Sequence, residues 1–320
     1  MIVITGAAGF IGSCFVSKLN QLGYTDLILV DDLTPVKKKN LDNKRFKNII
    51  SRAEFLNWFS DHFSLVSHVF HLGARTDTTE LDVEIFKELN LNYSKKLWAI
   101  CTSNNIPFFY ASSAATYGVG EFGFSDNLEI IPELSPLNPY GISKNDFDKW
   151  VITQKQTPSY WIGLKFFNVY GPNEYHKGRM ASVILHSYHQ IKDTGEMKLF
   201  RSHKEEFKDG EQLRDFIYVK DIIDVLSFLL ENKIPNSIYN LGSGTERSFN
   251  DLVKSVFQAI DQEIRIKYID IPIDIRDSYQ YFTKAEMEKL KEVGYKKSFT
   301  NLEDGVSDYV RKYLLHNIYY

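Results

Sequence analysis

The start of the chain constrains the fold more than any other segment. A β-branched run, Ile2 to Thr5, passes directly into Gly6-Ala7-Ala8-Gly9-Phe10-Ile11-Gly12 and then into a helical pattern. In such a loop the first glycine permits a tight turn, the second lets backbone amides approach a pyrophosphate, and the third allows close helix–strand packing. The helix N-terminus adds N–H donors and the positive end of its dipole. The segment predicts a dinucleotide-binding unit, with cofactor contacts from Gly6, Gly9, Phe10, Ile11 and Gly12.

Strand-like and helix-like patterns alternate through the first half of the chain, which is typical of βαβ units around a buried parallel sheet. Bounded apolar runs predict strands at Ile2–Thr5, Leu27–Asp31, Val66–His71, Pro107–Ser112 and Trp161–Asn168. Apolar spacing predicts helices over residues 11–22, 52–63, 81–104 and 137–154. We therefore predict an α/β protein with a Rossmann-like, doubly wound parallel sheet that binds ligands at the carboxyl ends of its strands.

The later chain is less regular and predicts a smaller C-terminal α/β domain that binds substrate. A chain of 320 residues exceeds the size at which single hydrophobic cores stop growing, so two coupled domains are expected. The pattern indicates a solvated loop at 201–214, a helix at 221–232, and strands at 238–241 and 264–269. We predict a dinucleotide-binding domain of residues 1–167 with returning segments at 216–243, and a substrate-binding domain of residues 168–215 and 244–320.

Composition and charge are those of a soluble globular protein. Hydrophobic residues make up 43% of the chain and charged residues 25%, and the net charge of -3 gives no reason to expect nucleic acid or an acidic membrane as a partner. No apolar run reaches the roughly 18 residues of a membrane span. A strand at residue 2 leaves no room for a signal peptide, and Cys14 and Cys101 are predicted to be buried, reduced thiols. We expect a cytoplasmic protein.

Residues beyond the glycine loop predict the rest of the cofactor site. Asp31 ends the second strand about 20 residues after the glycines, where a carboxylate accepts hydrogen bonds from the adenosine ribose and favours NAD. Lys37-Lys38-Lys39 and Arg52 follow, and these cations could neutralise the 2′-phosphate of NADP, although a lysine run is as often a solvated loop. The choice between NAD and NADP stays open on these residues. The predicted contacts are Asp31, Asp32, Lys38 and Arg52, with Leu72, Gly73, Ala74, Arg75 and Asn90 nearer the far end of the cofactor.

A tyrosine and a lysine predict nicotinamide redox chemistry. Tyr140 and Lys144 are four residues apart, so they share one helical face. There the ammonium is expected to lower the pKa of the phenol from about 10 and to make it a proton carrier near neutral pH. Ser113, in Ala111-Ser112-Ser113-Ala114-Ala115-Thr116-Tyr117-Gly118, ends a strand and is placed to hydrogen-bond a substrate alcohol.

Together these residues resemble the extended short-chain dehydrogenase/reductases, which include nucleotide-sugar epimerases and dehydratases. The serine, tyrosine and lysine of that family map onto Ser113, Tyr140 and Lys144. Phe166-Phe167-Asn168-Val169-Tyr170-Gly171-Pro172 resembles another of its motifs, with Lys165 where arginine is common. The chain continues as His176-Lys177-Gly178-Arg179-Met180-Ala181-Ser182-Val183. This run resembles the ADP-L-glycero-D-manno-heptose 6-epimerase family, and the resemblance extends from Met1 to the last helix.

The resemblance implies an activity and further site residues. It implies epimerisation of ADP-D-glycero-D-manno-heptose at C6″ for the lipopolysaccharide core, with one tightly bound NADP per subunit. It also implies Lys177 as a second proton carrier, although composition alone would favour a solvated loop lysine there. A homo-oligomer is implied, with a pentamer as the precedent. Val169 is implied in cofactor binding, and the implied ADP-sugar contacts are Ser113, Asn168, Lys177, Arg179, His186, Phe200, Arg201, Ser202, His203, Arg214 and Tyr279.

Three other functions are weighed against epimerisation. A 4,6-dehydratase places Asp-Glu after its catalytic serine or threonine, whereas Ala114 and Ala115 stand here and cannot carry protons. A cofactor-binding regulator is disfavoured because the chain retains Ser113, Tyr140 and Lys144. A net dehydrogenase or reductase would need an exchangeable cofactor. No metal site is predicted, because His186 and His189 lack a carboxylate or cysteine partner.

Overall fold

Short apolar runs form strands and amphipathic stretches form helices in the computed structural model, which describes residues 1–276 and 279–320. The strands are β1 (Ile2–Thr5), β2 (Leu27–Val30), β3 (Asn48–Ile50), β4 (His68–His71), β5 (Phe108–Ser113), β6 (Trp161–Phe166), β7 (Asn168–Tyr170), β8 (Met197–Phe200), β9 (Leu213–Tyr218), β10 (Ser237–Leu241), β11 (Glu246–Ser248) and β12 (Ile266–Ile269). The helices are α1 (Phe10–Gln21), α2 (Pro35–Lys39), α3 (Arg52–His62), α4 (Val83–Phe86), α5 (Tyr93–Ser103), α6 (Pro139–Ile152), α7 (Val183–Thr194), α8 (Val219–Glu231), α9 (Phe249–Ala259), α10 (Ile273–Arg276), α11 (Glu288–Glu292) and α12 (Leu302–Tyr309). A π-helical stretch, Lys87–Asn92, joins α4 to α5, so residues 83–103 are helical throughout, close to the predicted 81–104.

A large parallel sheet organises the molecule. Within the described residues, seven strands lie in the order β10-β6-β5-β4-β1-β2-β3, and every pair is parallel. The chain runs outward from β1 through β3 and then returns to β4, so the strand order reverses between β1 and β4. In open α/β sheets a crevice for ligands forms at that point, outside the carboxyl ends of the strands. The predicted Rossmann-like fold class is confirmed.

Apolar side chains cover both faces of this sheet. Alternate residues of a strand point to opposite faces, so Val3 joins one buried cluster while Ile4 joins the other. On the Val3 side, α3 and α5 contribute Phe59 and Trp98, whereas on the Ile4 side α1 packs against α8. Because both faces are covered, β1 and β2 are buried along their whole length, as expected for parallel strands. Both cysteines are buried free thiols, as predicted.

Two smaller sheets form after residue 168. β7, β9 and β11 lie in the order β11-β9-β7, and β8 pairs in parallel with β12. The prediction of a solvated loop at 201–214 is wrong for its last two residues. Leu213 and Arg214 begin β9, and Arg214 is buried. The proposed division into residues 1–167 with 216–243 and the remainder stays a prediction. No helix in the described part of the chain is long and apolar enough to cross a membrane.

Candidate active site

The glycine loop forms one wall of a cavity of ≈ 400 Å³ at the crevice between β1 and β4. Gly6 has φ of +66°, and a Cβ atom there would lie 2.6 Å from the Cα of Gly73. A Cβ atom on Gly12 would lie 2.2 Å from the carbonyl oxygen of Gly6. These approaches explain why glycine stands at each position. The predicted residues that line the cavity are Gly6, Gly9, Phe10, Ile11, Gly12, Asp31, Asp32, Arg52, Leu72, Gly73, Ala74, Arg75 and Lys177.

Charged residues after β2 line the other end of the cavity. The Asp31 carboxylate accepts from the backbone N–H of Ala8 and from Lys37 Nζ, both at 2.9 Å. Arg52 forms a 2.9 Å ion pair with Asp32. Lys38, which we predicted to contact the cofactor, is exposed on α2 and does not line the cavity, because the helix turns Lys37 inward instead.

Asn90 joins the cavity wall to the helix that carries Tyr140. It is buried, its Oδ1 accepts from the backbone N–H of Arg75 at 2.8 Å, and its Nδ2 donates to the Arg75 carbonyl at 3.0 Å. The same Nδ2 donates to Ser143 Oγ at 2.9 Å, and that hydroxyl donates to the carbonyl of Tyr140 at 2.7 Å. Asn90 therefore holds backbone in place and does not itself line the cavity.

The structure brings Ser113, Tyr140 and Lys144 to one place, where β5 ends and α6 begins. Asn138 caps α6 through the N–H of Gly141, so Tyr140 lies in the first turn. Lys144 is buried and donates from Nζ to the Ala111 carbonyl at 2.9 Å, two residues before Ser113.

The pKa values at this place differ from the prediction. Burial raises the pKa of Tyr140, and a hydrogen bond with the Ser113 side chain opposes that rise only in part. Burial also lowers the pKa of Lys144 to about 8, against the opposing charge of Asp148. The pKa of Tyr140 is therefore raised and not lowered in the protein alone, because burial of the phenol dominates and the opposing effect comes from Ser113 and not from Lys144.

A buried ion pair supports this strand–helix junction. Asp148 and Lys165 are 2.8 Å apart with fully buried side chains. The carboxylate also accepts from Tyr110 and Ser112, and the ammonium donates to Thr116 Oγ1 at 2.6 Å. Because a buried pair is costly unless its remaining hydrogen bonds are made, this full set fixes α6 against β5 and β6.

Lys177 lines the cavity close to Phe10 of the glycine loop. It lies in the turn Tyr175–Met180 after β7, and its Nζ is 5.7 Å from the ring centroid of Phe10. Burial lowers its pKa, and the charge of Glu174 opposes that effect. Lys177 is thus part of the cavity wall, whereas Arg179 is exposed beside it.

Several predicted ADP-sugar residues cluster around Arg214. The guanidinium of Arg214 is buried, lies 5.4 Å from the ring centroid of Tyr279, and donates to the carbonyls of Leu213 and Gln280. The Phe200 ring is 6.0 Å from that of Tyr279. The other predicted contacts are more dispersed. Asn168 donates to the Asp215 carbonyl and Thr283, and Arg201 pairs with Asp209 and Asp270. Ser202 accepts from Lys204 N–H and His203 accepts from Ile271 N–H, whereas Val169, the predicted cofactor contact, is half-buried in β7 and His186 is exposed on α7.

Comparison with known proteins identifies the family. Residues 2–242 match the NAD dependent epimerase/dehydratase family. The chain belongs to that family. It is 48% identical to an ADP-L-glycero-D-manno-heptose-6-epimerase of Nitratidesulfovibrio vulgaris and 47% identical to one of Fusobacterium nucleatum, with 98% of each chain covered in both pairs. The crystal structure of the Helicobacter pylori ADP-L-glycero-D-manno-heptose-6-epimerase is also similar, with a TM-score of 0.81 and 29% identity over 99% of this chain and 96% of that one.

Membership of the epimerase/dehydratase family confirms the predicted resemblance and implies a nicotinamide cofactor. The residues present fit such a group. The N-cap residue of α1 is Gly9, which has no side chain to cap the helix, and the first turn of α1 lines the cavity, an arrangement suited to a pyrophosphate. Lys37 and Arg52 lie at the other end of the same cavity. The roles of the individual site residues stay predictions.

Two supporting residues, His71 and Asn40, were missed from the sequence. His71 lines the cavity and bonds Thr5 Oγ1 at 2.7 Å and Ser94 Oγ at 2.8 Å. Buried Asn40 donates to the carbonyls of Ala8 and Asn173 and approaches His176 Nδ1 at 3.2 Å, so it links the glycine loop to the loop of Lys177. Only long-range pairing creates these contacts, although His71 does stand at a strand end where ligands bind.

Proposed function

We propose that this protein converts ADP-D-glycero-D-manno-heptose to ADP-L-glycero-D-manno-heptose by inverting C6″, and so supplies the inner core of lipopolysaccharide. The observation that carries the proposal is the position of Lys177, which lines the same cavity as the glycine loop. Relatives that bear the name of this activity are 47% and 48% identical over nearly the whole chain. When bound, the nicotinamide supplies a reversible hydride acceptor, so the reaction has no net redox change.

Two proton carriers suit this inversion. The transient C6″ ketone must turn about its bond to the ring before it is reduced on the opposite face, so its oxygen occupies a different place before and after. One fixed acid–base group serves both places poorly. We assign one place to Tyr140 and the other to Lys177, with Ser113 bonding the substrate oxygen and Lys144 holding the cofactor ribose.

The electrostatics of the site support this division. Burial raises the pKa of Tyr140 and lowers the pKa of Lys177, so it favours the neutral form of each. A neutral phenol is a proton donor, and a neutral amine is a proton acceptor. Burial therefore shifts Tyr140 toward a proton donor and Lys177 toward a proton acceptor, the two roles that an inversion through a ketone requires.

Arg214 is proposed to bind the diphosphate of the ADP-sugar. Its guanidinium is buried, and no carboxylate lies within 4 Å of it among the described side chains, those of residues 1–273, 276 and 279–320. A buried cation without a carboxylate partner suits an anion, and a guanidinium matches phosphate geometry well. Tyr279 and Phe200 add aromatic surface beside it.

NADP is the cofactor that we propose, with Lys37 and Arg52 binding its 2′-phosphate. Both cations line the adenosine end of the cavity next to Asp31 and Asp32. The ion pair of Arg52 with Asp32 is exchangeable, because the two side chains are 42% and 51% exposed, whereas Lys37 and Asp31 are only 30% and 7% exposed. On the family resemblance we also propose a cytoplasmic homo-oligomer with a pentamer as precedent, which sedimentation velocity would test.

Incubation of the purified protein with ADP-D-glycero-D-manno-heptose and no added nucleotide tests the activity. We expect the 6″ epimer to appear in the NMR spectrum at equilibrium. Tyr140→Phe and Lys177→Met should each lower the rate by about 10²–10⁴-fold and leave cofactor bound, because each removes one proton carrier. Tyr24→Phe and Lys155→Met, at exposed positions, are matched controls. A Lys177→Met variant with near full rate would contradict the two-carrier assignment, and no epimer from the unaltered protein would contradict the activity.

A further inference from the structure

The loop that carries Lys177 has an unusual backbone. This Lys177 loop, residues 171–182, includes Gly171 at φ of +142°, Asn173 at +73° and Gly178 at +52°. Besides any bonds inside the helical turn Tyr175–Met180, Lys177 N–H donates to the Glu174 carbonyl at 2.9 Å, and Ala181 N–H donates to the Gly178 carbonyl at 3.1 Å. Such a loop needs other contacts to hold one conformation.

Asn40 supplies one such contact, to the Asn173 carbonyl, and the carboxylate of Glu174 supplies the contacts that join the two ends of the loop. This side chain is only 1% exposed. Its Oε1 accepts from Ser182 Oγ at 2.6 Å and from Gly171 N–H at 3.4 Å, and its Oε2 accepts from Ser182 N–H at 2.5 Å. Gly171 and Ser182 are the two ends of the loop, and Ser182 also caps α7 through the N–H of Leu185. One buried group thus joins the end of β7 to the start of α7.

No cation lies within 4 Å of the Glu174 carboxylate in the described part of the chain. Burial of a carboxylate without an ion-pair partner is costly, so its retention calls for a reason beyond stability. Lys177, in the same loop, is the cation whose charge lowers the pKa of Glu174, and the charge of Glu174 in turn raises the pKa of Lys177. Each charge thus favours the ionised form of the other.

The other titratable groups around the loop do not provide an alternative charged partner for Glu174 or Lys177. Around Glu174 they are the hydroxyls of Tyr175 and Tyr309 and the thiol of Cys14, and burial raises the pKa of all three. Around Lys177 they are His176, whose pKa burial lowers to about 4, and the cavity-wall groups Asp31, Lys37, Arg75, Asp77 and exposed Arg179.

We propose that Glu174 is the positioning residue of the second proton carrier. Its carboxylate ties both ends of the Lys177 loop and presents a negative charge to the Lys177 amine. The inference rests on the proposed function of Lys177. It makes Glu174 responsible both for where that amine lies and for how readily the amine holds a proton.

Glu174→Gln is the test, because it keeps the size of the side chain and one acceptor oxygen but removes the charge. The protein is labelled with ¹³C at the ε-carbon of lysine, and the Lys177 signal is assigned by its loss in Lys177→Met. We expect its titration midpoint to move to lower pH in Glu174→Gln. The acid limb of the pH–rate profile should move with it, and kcat should fall by about tenfold or more while KM changes little. Glu174→Asp, which keeps the charge, should restore the midpoint but not the full rate.

Asp126→Asn is the matched control. Asp126 is another buried carboxylate, accepts from Asn240 N–H at 2.8 Å, and does not line the cavity. Its loss should leave the Lys177 midpoint in place. An unmoved midpoint in Glu174→Gln would overturn the inference, even if less folded protein were recovered. Full activity in Lys177→Met would instead overturn the proposed carrier, and the midpoint would still decide whether Glu174 acts on that amine.

Discussion

At the scale of single residues, Arg214 carries a buried charge that no carboxylate in the described part of the chain pairs within 4 Å. If this guanidinium binds the substrate diphosphate, Arg214→Met should raise KM for the ADP-heptose by about 10–100-fold, because a hydrogen bond to a charged group contributes about 1.5–3 kcal/mol. Steady-state kinetics measure the change. Arg265→Met, which removes an exposed arginine paired with Glu263, should leave KM unaltered. An unchanged KM in Arg214→Met would place the diphosphate elsewhere.

Single residues also differ in how well the sequence predicts their position and their pKa. Lys177 was predicted from its flanking run, and it lines the cavity. In the lysine run, however, we chose Lys38, whereas Lys37 faces Asp31, because the start of a five-residue helix decides which side chain turns inward. The pKa of Tyr140 could not be predicted from its spacing to Lys144, since burial depends on the whole fold.

At the scale of elements, His71 connects three of them. From β4 it bonds Thr5 of β1 and Ser94 of α5, and burial lowers its pKa to about 3. His71 therefore has a pKa near 6.5 in the unfolded chain and of about 3 in the folded protein, so the unfolded state binds the proton first. The free energy of unfolding therefore falls as the pH drops from about 6.5 toward 3. Between pH 7.5 and 5 the loss due to His71 should be about 2 kcal/mol.

Urea unfolding of the unaltered protein and of His71→Gln at both pH values checks this expectation. His71→Gln should be less stable at pH 7.5, because its contacts with Thr5 and Ser94 are impaired, yet it should lose about 2 kcal/mol less on acidification. His189→Gln, at an exposed position on α7, should keep the pH dependence of the unaltered protein. Equal losses in His71→Gln and the unaltered protein would contradict the assignment.

Element prediction succeeded where a local pattern exists. Four-residue apolar runs such as Ile2–Thr5 and Leu27–Val30 are buried on both faces and form strands as predicted. The three-residue strands β3, β7 and β11 carry no such pattern, and each forms because a distant segment pairs with it. For the same reason β9, which begins within the predicted loop, was recognised only from the structure.

At the scale of the whole molecule, the predicted cofactor and substrate residues are held together by contacts between distant parts of the chain. Asn40 links the glycine loop to the Lys177 loop. The carbonyl of Gln280 accepts from Arg214, and its side-chain amide donates to the carbonyl of Gly118, the last residue of the segment that contains Ser113. Binding of a ligand at the cavity should therefore stabilise the whole fold.

This coupling gives a thermal test of the cofactor. A ligand at 100 times its Kd stabilises the folded state by about 2.7 kcal/mol, which raises Tm by several degrees in a protein of this size. Protein stripped of cofactor should therefore melt earlier than the purified form, and NADP should restore Tm at lower concentration than NAD, because Lys37 and Arg52 lie at the adenosine end of the cavity. Lys37→Met with Arg52→Met should remove that preference while NAD still raises Tm. A stronger effect of NAD on the unaltered protein would show that Asp31 instead holds an unphosphorylated ribose.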